Sequence, residues 1–224
     1  MNFGFAEGET VIVTGAGSGI GLAVARFAAR AGLRVAGWDV RPGTDYTVDV
    51  TDPDAVAAAF EATGPARYLV NNAGPASSSG LDFAGGLVAS AGSVELVTAA
   101  WLKTGPPDGS ALVNIASVAG NFVGTDSAWY SAGKAAIAGY TRHLATRAAP
   151  RVRANAVAPG FIDTPRMAGF GDTPLGRSLI ERNPMGRAGH PDDVAAAVLF
   201  LLSPLAAYIN GVLLPVDGGW MVIQ

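Results

Sequence analysis

Two side chains in the stretch WYSAGKAA (129–136), Tyr130 and Lys134, are of types that do chemistry together. Residues four apart share one face of a helix, so the phenol and the ammonium are neighbours there. A free tyrosine has a pKa of about 10 and is mostly protonated at neutral pH. An ammonium a few ångströms away favours the phenolate and is expected to lower that pKa. The phenol can then give a proton to a carbonyl oxygen, or take one from an alcohol, near working pH. The choice of lysine is itself informative, because the chain has thirteen arginines and only one other lysine, Lys103. Lysine is a compact charge with three donors, able to reach sugar hydroxyls as well as the surroundings of the phenol. Ser127 and Ser131, close by, read as helix-start and helix-surface hydroxyls.

Such a pair needs a frame to hold it. The 224 residues suit one large domain, 1–224, better than two. Half of them are hydrophobic, and the mean hydropathy is +0.32. The longest aliphatic run, VAAAVLFLL (194–202), falls short of the roughly 20 residues a bilayer requires. No membrane span is therefore expected, and the apolar surface is assigned to a core and a subunit interface. Short β-branched runs at 10–14, 34–39, 46–50, 67–71, 111–116, 153–158 and 212–216 read as strands. Several are apolar on both faces, as in a parallel sheet covered on both sides. Ala-rich helical stretches at 19–31, 53–62, 84–103, 128–148 and 191–203 alternate with them. The prediction is an α/β, single-domain, doubly wound parallel seven-stranded sheet with helices on both faces. The segment 159–190, rich in Gly, Pro and Arg, breaks the rhythm and reads as a substrate lid rather than a disordered loop.

The first strand runs into a glycine turn and then a helix, VIVTGAGSGIGLAVARFAARAG, with Gly15, Gly19 and Gly21 spaced as in a phosphate cradle. Gly15 lets the chain leave the strand in a tight turn, Gly19 lets backbone approach a pyrophosphate, and Gly21 lets the helix pack close to the sheet. The helix N-terminus then offers free N–H groups and a positive dipole end to the anion. This is the Rossmann arrangement. The second strand ends in Asp39, where a carboxylate can accept both adenosine ribose hydroxyls and would repel a 2′-phosphate. That favours NAD over NADP, although Arg41, two residues on, is a group that could pair with such a phosphate. Ser18 adds no positive charge.

These residues join a wider pattern. The chain resembles the short-chain dehydrogenase/reductase family over essentially its whole length. The matching motifs are TGAGSGIG (14–21), DV (49–50), NNAG (71–74), NIASVAG (114–120), Tyr130-x-x-x-Lys134, PGFIDT (159–164) and VDGG (216–219). The resemblance implies that Ser18 and Ile20 join the three glycines at the cofactor. It implies that Asp49 and Val50 bind the adenine edge, by side chain and backbone N–H. Asn72, Ala73 and Gly74 would line the adenosine ribose side. Ile162 would hold the nicotinamide carboxamide through its backbone, and Thr164 would help fix the amide or the phosphates. Ser117 becomes the hydroxyl that orients the substrate oxygen and stabilises charge developing on it. Tyr130 and Lys134 serve both catalysis and cofactor binding. The cofactor supplies the hydride, while the protein supplies position and proton management.

One departure stands out. Members of this family usually carry an asparagine in the helix after NNAG, tied to a water that links the lysine to solvent. The segment 75–113 contains no asparagine, and Ala89 stands at the matching place with Ser90 beside it. Either a backbone carbonyl near Ala89 holds the relay water, or the enzyme is slow; the first reading is preferred.

The expected reaction is hydride transfer between NAD(H) and a secondary alcohol or ketone, with Tyr130 as general acid/base. The alternatives are an NADPH-dependent 3-oxoacyl thioester reductase, which the C-terminal half also resembles, and a weakly catalytic dinucleotide-binding protein. Phe122, Trp129, Phe161, Met167 and Phe170 suggest either an apolar pocket or lid packing, and Arg166 and Arg177 are placed to meet an acidic group or solvent. The resemblance implies a homotetramer or homodimer, with 84–103, 128–148 and the C-terminal segment as interfaces.

The remaining composition excludes other classes. There are no cysteines, which removes disulfides and thiolate metal sites and fits a cytoplasmic protein. The N-terminal residues lack the features of a signal peptide. A net charge of −3 with scattered Lys and Arg suggests no nucleic-acid surface. Two histidines and no HExxH predict no metal: His143 reads as surface and His190 as part of a helix start. No G-x-S-x-G elbow points to a serine hydrolase.

Overall fold

The computed structural model describes residues 3–223. Its sheet is built from β1 (Thr10–Thr14), β2 (Arg34–Asp39), β3 (Tyr46–Thr47), β4 (Tyr68–Asn71), β5 (Ser110–Ile115), β6 (Val152–Pro159) and β7 (Leu213–Val216). The order is β3-β2-β1-β4-β5-β6-β7, and every pairing is parallel. Successive side chains of a strand point to opposite faces, and here both faces are buried. Val11, Val13, Val70, Val113 and Val157 pack against α1 (Gly19–Arg30) and, later in the chain, the helix Pro191–Leu202. Ile12, Trp38, Leu69, Leu112 and Ala154 face the opposite layer, where Val56 and Phe60 of α2 (Pro53–Thr63) are packed. This is the doubly wound arrangement expected from strands apolar on both sides.

The other helices are α3 (Phe83–Leu87), α4 (Ser93–Lys103), α5 (Ala128–Arg147), α6 (Pro174–Arg182) and α7 (Pro191–Leu202). Where one helix was expected over 84–103, a π-helical turn, Val88–Gly92, separates α3 from α4. Phe83–Lys103 as a whole is long and apolar enough to cross a membrane by length and composition, contrary to the expectation of no such segment. Val94, Val97 and Trp101 of this segment are buried against the sheet layer, but only 33% of its most apolar window is buried, and Phe83 and Val88 are exposed. The segment 159–190 is more regular than its composition suggests. It carries α6, started by Thr173, whose Oγ1 accepts from Gly176 N, with Pro174 in the first turn.

The strand expected over 46–50 stops at Thr47. Asp49 Oδ1 accepts both the backbone N–H and the hydroxyl of Thr51, at 2.9 and 2.7 Å, and turns the chain toward α2. Residues 40–45 then join two parallel strands without a helix, although such crossovers normally need about a dozen residues or more. Asp45 ties this short connection back to β2. Its Oδ2 accepts from Gly37 N at 2.8 Å, giving β2 the partner that the two-residue β3 is too short to supply. α7 begins as expected: the His190 side chain accepts from Asp192 N, and Asp193 Oδ2 accepts from His190 N.

Candidate active site

The site lies at the C-terminal edge of the sheet, where β1 and β4 diverge toward opposite flanks. The glycine turn after β1 is locked to the loop after β4. Thr14 Oγ1 accepts from Asn72 N at 3.0 Å and Ala73 N at 3.1 Å, and Asn72 Nδ2 donates to the carbonyls of Thr14 and Gly15. Gly15 has φ +68, and a Cβ on it would lie 2.7 Å from Asn72 Nδ2, so glycine is required by both backbone and space. A Cβ on Gly21 would lie 2.1 Å from the Gly15 carbonyl oxygen. The helix therefore packs on the turn itself, a closer approach than helix against sheet. Ser18 leads into α1, and no side chain caps the first-turn N–H groups. That end of the helix is left open to an anion.

A cleft of about 640 Å³ opens over this turn. Of the residues expected at the cofactor, Gly15, Ser18, Gly19, Ile20, Asp39, Asp49, Val50, Asn72, Ala73, Gly74 and Thr164 line it. Four expected residues do not: Gly21, Ile162, Tyr130 and Lys134. Gly21 lies beneath the turn, and Ile162 is buried, its short bridge to Gly189 holding the 159–190 segment in place. Arg41, Ala89, Pro165 and Arg166 also line the cleft. The donor set, open helix end and glycine-lined floor fit a dinucleotide.

Asp39 Oδ2 accepts from Gly17 N at 2.9 Å and its Oδ1 from Arg41 N at 3.0 Å. Burial by itself would raise its pKa, but these two N–H bonds and the Arg41 guanidinium more than offset that and hold it below the ordinary carboxylate value. Arg41 is committed locally: its Nε is 3.6 Å from Asp39 Oδ1 and its Nη2 donates to Ser18 Oγ at 3.0 Å. The Thr51 N–H and hydroxyl lower the Asp49 pKa in the same way.

Ser117, Tyr130 and Lys134 come together beyond the Arg166 side of this cleft. Ser117 follows β5 and its Oγ accepts from Ala119 N at 3.1 Å. Trp129 is buried and meets the Tyr130 ring edge to face, with centroids 5.6 Å apart. Lys134 Nζ lies 5.7 Å from the Tyr130 ring centroid and donates to the Ile115 carbonyl at 2.8 Å. Electrostatics correct one expectation. Burial raises the Tyr130 pKa; the adjacent Ser117 hydroxyl and the charge of Arg166 pull against it. The Lys134 ammonium donates to the Ile115 carbonyl and lies over the ring. Burial first, then Arg166, lowers the Lys134 pKa to about 8.

Two positioning features escaped the sequence. Asn121 Nδ2 donates to the Ser117 carbonyl at 2.9 Å and to the Lys134 carbonyl at 3.1 Å, tying strand end to helix. No spacing rule reveals that bond. The second is the π turn holding Ala89. π turns often mark functional sites, and here Ser93 Oγ donates to the Ala89 and Ser90 carbonyls, both at 2.9 Å. A Cβ on Gly133 would lie 2.7 Å from Ser90 Oγ, so α5 is packed directly on this turn one residue before Lys134. Among the aromatics, Phe161 and Phe170 pack edge to face on each other at 5.3 Å, and Phe122 is exposed. Arg177 donates to the Asp172 carbonyl, and His143 stacks on Tyr140, so neither joins the site.

Comparison with known proteins agrees with this arrangement. The model of a family described as enoyl-(acyl carrier protein) reductase matches residues 15–221. The chain is 35% identical to a cis-4-hydroxycyclohexanecarboxylate dehydrogenase of Sinomonas cyclohexanicum, with all of both chains covered. It is 34% identical to a 3-oxoacyl-acyl-carrier-protein reductase of Vibrio cholerae, covering 97% of this chain and 99% of the other. A crystal structure of an Agrobacterium tumefaciens protein assigned as a 2-deoxy-D-gluconate 3-dehydrogenase, with bound NADP, superposes with a TM-score of 0.86 at 34% identity, over 96% and 97% of the two chains. Identity at this level along whole chains and on the same fold means that the chain belongs to the short-chain dehydrogenase/reductase family of NAD(P)-dependent oxidoreductases.

Proposed function

We propose that the protein is an NAD(H)-dependent dehydrogenase that interconverts a secondary alcohol and its ketone, with Tyr130 as general acid/base. The observation that carries this reading is the meeting of Ser117, Tyr130 and Lys134 beside a dinucleotide-shaped cleft. When bound, the cofactor supplies or accepts the hydride. Tyr130 Oη gives the proton to the carbonyl oxygen or takes it from the alcohol. The Ser117 hydroxyl donates to that oxygen and stabilises charge growing on it. Lys134 holds its positive charge beside the Tyr130 ring, fixed there by its hydrogen bond to the Ile115 carbonyl, and so favours the phenolate. The burial of Trp129 keeps water from one side of the phenol. The test is alcohol-dependent NADH formation by wild type and Tyr130→Phe on a panel of secondary alcohols, diols and hydroxy acids. Equal turnover by both proteins would defeat the reading.

The preference for NAD rests on Asp39. An ionised carboxylate at the end of β2 accepts ribose hydroxyls and repels a 2′-phosphate, and Arg41 is already engaged by Asp39 and Ser18. A lower KM for NADPH than for NADH would overturn it. The same Arg41–Ser18 pair supports a second reading, an NADPH-dependent 3-oxoacyl thioester reductase like the relative from Vibrio cholerae. The chain works as one domain in this proposal, with 159–190 as the lid over the cleft. Exposed Phe83, Val88, Val222 and Ile223 lie on the segments expected at subunit contacts and support a homodimer or homotetramer, measurable by light scattering.

A further inference from the structure

The cations lining the cleft are Arg41 and Arg166. Arg41 is paired with Asp39, whereas Arg166 has no carboxylate partner among the described residues. Arg166 belongs to the single turn Pro165–Met167 in the 159–190 segment, and its Nη2 donates to the Gly74 carbonyl at 2.9 Å. Gly74 follows β4 on the other side, so this bond crosses the cleft that both residues line. A guanidinium carries five N–H donors in a planar fork that matches a carboxylate. One neutral carbonyl uses little of that capacity.

Arg166 lines the same cleft as the phosphate-binding turn, two residues beyond the Thr164 that meets that turn. The open N-terminus of α1 faces a pyrophosphate, and Thr164 lies against it, 3.3 Å from where a Cβ on Gly19 would be. Arg166 stands two residues further along the segment, toward the catalytic group. Its charge acts on Tyr130 and Lys134, while Asp39 and Asp49 at the adenosine end feel other groups.

We propose that Arg166 receives a carboxylate carried by the substrate, so that the preferred substrates are hydroxy acids and the corresponding oxo acids. The inference rests on the alcohol dehydrogenase reading above. An entering carboxylate displaces the Gly74 carbonyl and takes a charge-assisted, bidentate pair from the guanidinium. The far end of the substrate is thereby anchored on the lid, and its carbinol is presented to Tyr130 and Ser117. A neutral alcohol of the same shape lacks the anchor and leaves Arg166 on Gly74.

The test compares acids with neutral isosteres in the full-length protein with NAD+. Suitable pairs are 4-hydroxycyclohexanecarboxylate with its primary amide, and gluconate with gluconamide. The acid of at least one pair should be preferred in kcat/KM by about ten- to hundredfold, the range for a hydrogen-bonded charged pair. In Arg166→Gln the acid-to-amide ratio should collapse toward one, chiefly through KM for the acid, and Arg166→Lys should retain part of it. The dissociation constant for NADH, followed by tryptophan-to-nicotinamide energy transfer, should change less than about twofold, as the loss is on the substrate side. A loss of NADH affinity that matches the loss of activity, equal for acid and amide, would assign Arg166 to the pyrophosphate and overturn the proposal. An acid preference that survives Arg166→Gln, or its absence in wild type while neutral alcohols are oxidised, overturns it too and leaves the dehydrogenase reading standing. Failure to oxidise any alcohol, acid or neutral, removes both.

Discussion

Lys134 Nζ donates a 2.8 Å hydrogen bond to the carbonyl of Ile115, the last residue of β5, which holds its charge in a partly buried position. Burial lowers its pKa to about 8 from the model-compound value of 10.5. Between those pH values the unfolded chain binds more protons than the folded one, so stability rises with pH across that window. Below it both states are protonated and the cost of burying the ammonium is fully present. Lys134→Met should therefore stabilise the cofactor-free protein by about 1–2 kcal/mol at pH 7, after loss of the Ile115 bond, with the gain shrinking as pH approaches 10.5. Urea unfolding of both proteins at pH 7 and pH 10 checks this; parallel pH dependence would refute it. The same variant should lose nearly all turnover.

Asn121 bridges the backbones that carry Ser117 and Lys134. Asn121→Ala should lower stability by about 1–2 kcal/mol for two partly buried hydrogen bonds. A merely structural residue would stop there. A positioning residue should also lower kcat by about tenfold while KM for the cofactor stays put, because a small displacement of reacting groups is expensive. Asn121→Asp, isosteric but unable to donate, should resemble the alanine variant, and Asn121→Gln should recover little. Unchanged kcat in all three would leave Asn121 a loop staple.

Asp39→Ser should reverse cofactor preference. On the proposed NAD reading, losing the carboxylate would remove its hydrogen bonds to the ribose hydroxyls, about ten- to hundredfold in kcat/KM for NADH. It also frees Arg41 from its 3.6 Å contact with Asp39 to meet a 2′-phosphate. Steady-state kinetics with both cofactors should show the NADPH/NADH ratio rising by at least about a hundredfold from the two effects together. No change in the ratio would place the ribose elsewhere.

Ala89 lines the cleft on the π turn, and its carbonyl already accepts from Ser93 Oγ. If that backbone serves the proton path to Lys134, Ala89→Asn should shift the pH profile of kcat more than it alters substrate KM. Burial sets the Tyr130 pKa high in the cofactor-free protein, so oxidation should rise along an alkaline limb, and the shift should appear there. An identical pH profile would count against any relay role at this position.

Much of the frame was legible because it is written in local patterns. Runs apolar on both faces predict buried parallel strands, and all seven exist within a few residues of their expected bounds. The glycine turn was legible because only glycine survives at Gly15, where φ is positive and Asn72 leaves no room. What failed did so for tertiary reasons. The strand 46–50 was cut to Tyr46–Thr47 by the Asp49–Thr51 turn, and the helix 84–103 was broken by a π turn that no propensity scale marks. α6 was hidden by the Gly, Pro and Arg content around it, although Thr173 and Pro174 are a helix-start signal.

The sequence by itself determined which residue types are available and in which order: a glycine cradle, an acidic end to β2, and a tyrosine four residues before a lysine. Those are properties of short segments, fixed by backbone sterics and helical period. Only the tertiary structure decided how the charges are shared. It placed Lys134 on the Ile115 carbonyl, set Arg166 where its charge acts on Tyr130, and tied Asn121 between Ser117 and Lys134. Burial and Coulomb interactions depend on distances between residues far apart in the chain, and folding alone sets those distances.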